Sequence, residues 1–439
     1  MTKNLLRTSL FTMLGVLALS AQKPEAVVTE YRVVDLGLLS GGNFSQATWL
    51  NNSGVITGIS TAADGTQHSV LWFEDWILDL GANLLGGPNS GVFAINGRGQ
   101  ILGQGESADK DPNNENFCAY GTGLKCLPFL AQNGVVTALP LLGGNNGSVA
   151  GINNKGQAVG FAETANRDPN CPRQPSANGT GPQVLDFEAV VWGPGPEDIR
   201  QLQPFSSDTV GLACGINDEG QVVGATGTCA NTQLPGPVAG AHAVLWDKDG
   251  SVHDLGNLGG TANPAVPGMG NVAVAINNQG QVVGSSALAG NGNMVHHAFL
   301  WTPASGMKDL GTLPGDLVSA GLSINNTGQI VGASIAAPGP PQGNPRAWVS
   351  QNEVPVDLNT LVPADCPLFL LIAFGINDSG EIVGFGVQKD SPNNLHGFVA
   401  IPHKTAGSTG DVVPLARPFV GPLDLPENAR TLLRRFGMR

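Results

Sequence analysis

A nine-residue phrase recurs seven times along this chain and constrains its fold more than any other feature. It reads aliphatic residue, Asn, two variable residues, Gly, usually Gln, two mainly apolar residues, Gly. The copies are LNNSGVITG from Leu50, INGRGQILG from Ile95, INNKGQAVG from Ile152, INDEGQVVG from Ile216, INNQGQVVG from Ile276, INNTGQIVG from Ile324 and INDSGEIVG from Ile376. Its asparagines, Asn51, Asn96, Asn153, Asn217, Asn277, Asn325 and Asn377, stand about 54 residues apart on average, and a period of that size marks a repeat architecture. Asn and Gly flank a tight turn, where Asn bonds its own backbone and Gly takes positive φ. Short apolar segments on both sides supply two strands, so the phrase is a β-hairpin.

Two further segments complete each unit. One is HSVLW from His68, EAVVW from Glu188, HAVLW from His242 or HAFLW from His297, with weaker copies from Leu127, Arg346 and His396. The other carries Asp-Leu-Gly at Asp35, Asp79, Asp254 and Asp309, with variants around Leu139, Leu202 and Asp357. In chain order the strands are A (ending at the Asn), B, C and D. Four short antiparallel strands per unit fit a propeller blade better than a parallel β-helix, whose coils are much shorter. The expected fold is all-β: a seven-bladed β-propeller of four-stranded antiparallel blades over residues 31–401. With 62 glycines and 31 prolines, 13% charged and 41% apolar residues, the composition suits many tight turns. It excludes a coiled coil, a collagen-like chain and a disordered one.

The stretch HHAFLWTPASGMKDLGTL, His296 to Leu313, and its weaker copies resemble the HAF family of probable extracellular repeats. The resemblance extends over roughly residues 31–401. The units at Leu139 and Gln201 depart from its Asp-Leu-Gly wording. The resemblance implies an exported bacterial protein and carries no activity.

Residues 1–20 read as a signal peptide. Lys3 and Arg7 precede an apolar run from Leu10 to Leu19, too short to span a bilayer, with small residues at Ala18 and Ser20. The expected location is secreted or periplasmic, without a membrane span. A formal net charge of −13 argues against nucleic acid as a partner, because phosphate recognition needs a basic surface. The six cysteines, 118, 126, 171, 214, 229 and 366, include no Cys-x-x-Cys, and in an oxidising compartment they read as disulfide formers. Cys118 is assigned to Cys126, and Cys214 more weakly to Cys229, although sequence alone does not fix connectivity.

Most inserted sequence falls in the B–C connections, 104–126, 161–187, 225–241, 285–296, 333–345 and 385–395, and in D–A connections near 261–272 and 359–371. In an antiparallel meander these emerge on one face of the disc, and loops on a rigid scaffold carry function. The expected function is a binding or interaction scaffold without catalysis. Its partner would be an extracellular or cell-envelope ligand, glycan or protein, and no cofactor is called for. The alternative is a secreted carbohydrate-active hydrolase or lyase using loop-face carboxylates, for which Glu106, Asp109, Asp111, Glu115, Glu163 and Asp168 are the candidates. Solvated loop charge is the plainer account of those acids.

Other constellations read as structural. The histidines opening strand C (His68, His242, His297, His396) lie on separate blades and suit hydrogen bonds within each blade better than a metal ring. One Asp per blade at 35, 79, 254 and 309 is too few oxygen ligands for calcium. Asp247-Lys248-Asp249-Gly250 lacks the later acids of a calcium loop and reads as a turn. The recurrent asparagines could line a channel, but the turn they begin suffices to explain them. No Gly-x-Ser-x-Gly, His-Glu-x-x-His or Gly-x-x-x-x-Gly-Lys occurs.

The ends carry one more expectation. Tyr31–Leu36 is a D strand without A, B and C before it, while the last unit lacks a convincing D. The N-terminal segment should therefore close the last blade beside Phe398–Ile401. The competitor is Val412–Leu415, whose Pro414 confines it to an edge. Residues 402–439 read as a Gly/Pro-rich linker followed by a short helix over 427–436, with Arg430, Arg434, Arg435 and Arg439 making that end basic.

Overall fold

The structure is a computed structural model. It describes residues 29–404 except for 74–75, 170, 172–182, 196, 230–239, 261–269, 291–294 and 337–343. The signal segment, the competitor strand and the C-terminal helix expected from the sequence lie outside the described residues.

Seven four-stranded antiparallel sheets form the blades of a propeller. Blades 1 to 6 span residues 45–81, 86–138, 143–201, 210–254, 272–311 and 318–357, and blade 7 combines 368–404 with 29–35. In every blade strand A is innermost and D outermost. The N-terminal strand Thr29–Asp35 pairs with Ser391–Lys404 along its whole length, from Thr29↔Lys404 to Asp35↔Phe398. The closing strand is therefore the N-terminal one. Among the described residues no helix is long and apolar enough to cross a membrane.

The repeated phrase has a physical explanation residue by residue. Each Asn Oδ1 accepts two backbone N–H groups of its own turn, as Asn153 does from Lys155 and Gln157. The following Gly takes positive φ, 83° at Gly156 for example. Each Asn Nδ2 then donates to the carbonyl of the next blade's Asn: 51 to 96, 96 to 153, 153 to 217, 217 to 277, 277 to 325, 325 to 377, and 377 back to 51. These seven bonds, 2.9–3.3 Å long, close a belt around the axis. Nδ2 also donates to the side chain four residues on, Gln100, Gln157, Gln221, Gln281, Gln329 or Glu381, in six of the seven turns. That is why Gln follows the Gly. In those six turns two donors and two acceptor sites of the amide are occupied within the fold, and none remains for a channel ligand.

The last Gly of the phrase is set by a bulge. Every A strand shifts register just before its Asn, as between Ala213 and Gly215. The carbonyl two residues before the unpaired bulge residue then presses on strand B, so a Cβ on Gly224, Gly284, Gly332 or Gly384 would meet it at 1.9 Å. Real Cβ atoms do not approach that closely, and only glycine fits.

A second belt runs outside the first. The residue after each Asn donates its N–H to its counterpart in the next blade, as Asn154 to Asp218, Asp218 to Asn278 and Asp378 to Asn52. Gly97 breaks it, having no side chain for Asn52 to reach. A Cβ there would meet only Asn154, its Oδ1 at 3.0 Å, and the six other blades carry side chains at this position. Gly97→Asn is expected to complete the belt and to raise unfolding free energy by about 1 kcal/mol, measured by urea denaturation. A loss of stability would show that Asn154 does not yield.

Two disulfides are formed, Cys118–Cys126 and Cys171–Cys229. The pairing of Cys214 with Cys229 is corrected: Cys214 is a free thiol, as is Cys366. Cys214 stands on the inner strand opposite Val223 and Gly224, whereas Cys229 follows the strand that ends at Gly227. At about 3.3 Å per residue the two lie roughly 15 Å apart, more than twice the reach of a disulfide. Cys171–Cys229 instead ties the B–C connections of blades 3 and 4 together.

Candidate functional site

The long connections of blades 2 to 4 are not bare loops. Strands B of blades 2 and 3 run on to Lys110 and Arg167. Beneath the connections Phe117, Phe161 and Phe187 pack with both disulfides and Leu212 in a small core of their own. The Phe117 and Phe161 ring centroids lie 5.5 Å apart, those of Phe161 and Phe187 6.1 Å. This platform is what allows acidic residues to be buried on the loop face.

Blade 3 carries such residues on both sides of its sheet. Toward blade 2, Asp111, Glu115 and Glu163 bring one oxygen each to within 4.8 Å of one another. Glu115 and Glu163 are fully buried and Asp111 nearly so. Glu163 Oε2 accepts from the Asn145 and Asn146 N–H groups and from Asn146 Nδ2, and its Oε1 from Gln183. Glu115 Oε1 accepts from the Val184 and Leu185 N–H groups. Asp111 accepts from Asn113 and Glu115 N–H groups and from Asn146 Nδ2. Burial, reinforced by the charge of Glu115, holds Glu163 far above the ordinary carboxylate range, and burial raises Glu115 as well. Three hard oxygens so placed could hold a calcium or magnesium ion, or share a proton.

Toward blade 4 stand Asp186 and Glu188, alternate residues on one side of strand Leu185–Trp192. Glu188 is 6% exposed, and Asp186 is half-buried. Asp186 Oδ1 and Glu188 Oε2 are buried atoms without a hydrogen-bond partner among the described residues. Burial, with the charge of Asp168 added, lifts Asp186 to about 6. Burial, with the charge of Asp186 added, lifts Glu188 to about 8. Hydrogen bonds from Thr164 to Asp186 and from Gln201 to Glu188 oppose these shifts without cancelling them. Asp168 also lies by Cys171 and Cys229, but those sulfurs are in a disulfide and offer no thiolate.

Of the six acids expected from the sequence, the fold therefore gathers Asp111, Glu115 and Glu163. It sets Asp168 beside Asp186, leaves Asp109 exposed, and buries Glu106 alone with Asn89 and Thr122. Solvated charge describes Asp109 but not the buried Glu106, Asp111, Glu115 and Glu163. Buried carboxylates with raised proton affinity are reactive groups in search of a role, and this finding corrects the expectation of a scaffold without catalysis. Asp186 and Glu188 were not among the candidates. Their signal was the Glu that opens EAVVW where four other blades have His.

At that position five other blades pair strand C with a nearby acid. His68, His297 and His396 place Nδ1 2.7–3.0 Å from Asp79, Asp309 and Asp35, and Arg346 bonds Asp357. His242 bonds Asp208 rather than Asp254. The Asp247 turn closes through Ser251 and Gly250.

No family model matches the chain, and no curated protein is similar to it. Solved structures share its fold. A puromycin hydrolase mutant, S511A, complexed with PGG is 15% identical with a TM-score of 0.50, over 88% of this chain and 57% of that one. This chain thus spans little more than half of that protein. Virginiamycin B lyase from Staphylococcus aureus is 10% identical with a TM-score of 0.43, over 85% and 99% of the two chains. The β-propeller domain of the Trilobed protease from Pyrococcus furiosus is 7% identical with a TM-score of 0.46, over 84% and 100%. At this distance the likeness speaks for the propeller fold alone.

Proposed function

We propose that this chain is an exported hydrolase or lyase of carbohydrates that works through the carboxylates of its loop face, with Asp186 and Glu188 as the reacting pair. One observation carries the reading: two neighbouring acids whose environments split their proton affinities around neutrality, each with a buried oxygen that lacks a partner among the described residues. Such a split assigns an acid and a base. Near neutral pH Glu188 keeps its proton and donates it to the leaving-group oxygen, while ionised Asp186 takes a proton from water or from the sugar carbon. Half-buried Asp186 is the side from which substrate enters. The Asp111–Glu115–Glu163 group, bonded by backbone N–H groups and by the side-chain amides of Asn113, Asn146 and Gln183, holds the adjoining connection in place. Export is supported by the two disulfides and by the leader-like N-terminal sequence, and the repeat wording supports placing the chain with HAF-type proteins.

The test is a panel of neutral, amino-sugar and uronate polysaccharides, assayed for new reducing ends and for unsaturated products. Asp186→Asn and Glu188→Gln are expected to lower turnover by roughly 100-fold or more with the melting curve at neutral pH little changed. Full turnover in both variants would remove these residues from the chemistry, and a panel without any cleaved member would overturn the reading.

A further inference from the structure

The outer half of each blade follows a charge rule that blade 3 breaks. In five other blades the residue opening strand C is a base held against an acid, as His68 is against Asp79 and Arg346 against Asp357. Blade 2 carries neither, with Leu127 and Ala138 in the two places. Blade 3 puts an acid, Glu188, where the base belongs, and answers it with the uncharged amide of Gln201.

A second departure lies beside the first. At three blade junctions a serine at the start of the next strand A, Ser45, Ser90 or Ser319, accepts the N–H of the second residue of strand C. Between blades 3 and 4 that place is taken by Gly211. Glu188 Oε2 points toward the space so left, 3.7 Å from where a Cβ on Gly211 would stand. It is a buried oxygen without a partner among the described residues, on a side chain whose residue is 6% exposed. Asp186 Oδ1, two residues earlier on the same side of the strand, is buried and unpartnered in the same way. The charges that act on this pair are negative: Asp168 on Asp186, and Asp186 on Glu188. Arg167, next to Asp168 in the chain, turns its guanidinium to Asn113 instead. Three acids therefore meet without a cation among the described residues, in a fold that elsewhere supplies each such acid with a base. Burying unpaired carboxylates is costly, and a cation carried in by a ligand removes that cost.

We propose that this site takes a polysaccharide with free amino groups, such as a glucosamine polymer, and holds a sugar ammonium between Asp168 and Asp186. The inference rests on the reading of the site as carbohydrate-active and names its substrate class. An ammonium brings three donors and a positive charge. A neutral sugar brings hydroxyls alone, and a uronate would add a further negative charge to the three. An ammonium beside Asp186 also favours its ionised form, which is the form that acts as the base. Asp168 binds and does not react.

Calorimetry with short oligomers tests this, on the Glu188→Gln chain so that turnover is suppressed. A glucosamine oligomer should bind at least about tenfold more tightly than its N-acetylated or uronate counterpart. Asp168→Asn should lower that affinity by about tenfold. Thr209→Lys should do the same. Thr209 is exposed with Oγ1 3.5 Å from Asp168 Oδ2, so a lysine there supplies the missing cation from within. Both variants should melt like their parent. General attraction of a cation to a chain of net charge −13 would barely notice one charge, so binding insensitive to both variants would overturn the inference. Equal affinity for an oligolysine would assign the site to a peptide and overturn it too. Cleavage of a neutral or uronate polymer, lost in Asp186→Asn, without glucosamine binding would overturn the substrate class and leave the activity standing. Glucosamine binding that both variants weaken, without cleavage by the unaltered chain, would keep the ligand and remove the activity.

Discussion

A chain lacking residues 21–37 should fail to form the propeller, whereas one lacking residues 405–439 should unfold within a few degrees of the intact protein. The N-terminal strand is the outer strand of blade 7, and its seven residues pair with Ser391–Lys404 without a break. Tyr31 on that strand is 1% exposed and donates its N–H to Leu361. Val33 packs into the core of blade 7, and Val34 and Leu36 into the core shared with blade 1. Leu36 also supplies the carbonyl that accepts the Trp72 indole N–H, and Asp35 pairs with His396. Truncating one fully buried aromatic costs about 3–5 kcal/mol, and a whole domain is stable by only about 5–15 kcal/mol. Losing the strand removes several such contacts and exposes a new sheet edge, which invites aggregation. Circular dichroism and thermal melts of the two truncated chains decide it. If the N-terminal truncation melted like the intact protein, the closing ladder would not hold the ring.

The strand closure was legible in the sequence because the incomplete units at the two ends complete one another, and the competing segment Val412–Leu415 carries a proline that confines it to an edge and lacks Asp-Leu-Gly. The Asn–Gly phrase was legible for a similar reason, since a tight turn dictates its residues locally. The blade-to-blade belt was not. Asn153 Nδ2 meets the Asn217 carbonyl across 64 positions, and only the closed ring brings them together. The buried acids were half legible. Inserted carboxylates on blades 2 and 3 could be counted, yet their burial depends on the Phe117–Phe161–Phe187 platform, assembled from separate connections. Asp186 and Glu188 sit inside a repeat strand, where the pattern of the other blades announces structure. The Cys171–Cys229 bond, likewise, joins two connections whose proximity follows from blade packing and not from spacing.

Stability should peak on the acid side of neutrality and fall as the pH is raised to 9. Asp186, Glu188 and Glu163 all have folded-state proton affinities above those of an unfolded chain. Each therefore favours the fold fully at a pH below its unfolded value, near 4, and loses that contribution as the pH climbs through its folded value. Each loss accumulates from about pH 4 upward and is complete near pH 6 for Asp186 and near 8 for Glu188, with Glu163 following. Asp35, Asp218 and Asp378 act in the opposite sense. Hydrogen bonds from His396 and Gly37, from Asn154 and from Asn326 outweigh their burial and lower them, so their contribution disappears only below pH 4. A tenfold difference in proton affinity between folded and unfolded chain corresponds to about 1.4 kcal/mol per group, so the raised set should cost the fold a few kcal/mol between pH 5 and 9. Urea denaturation at both pH values, with a chelator present so that no cation substitutes for the proton, gives the slope. Glu163→Gln keeps an oxygen for the three donors around Oε2 and removes the charge, and should flatten the slope. A decline equally steep in the variant would mean that Glu163 is ionised throughout and that its amide partners, not a proton, keep it in the fold.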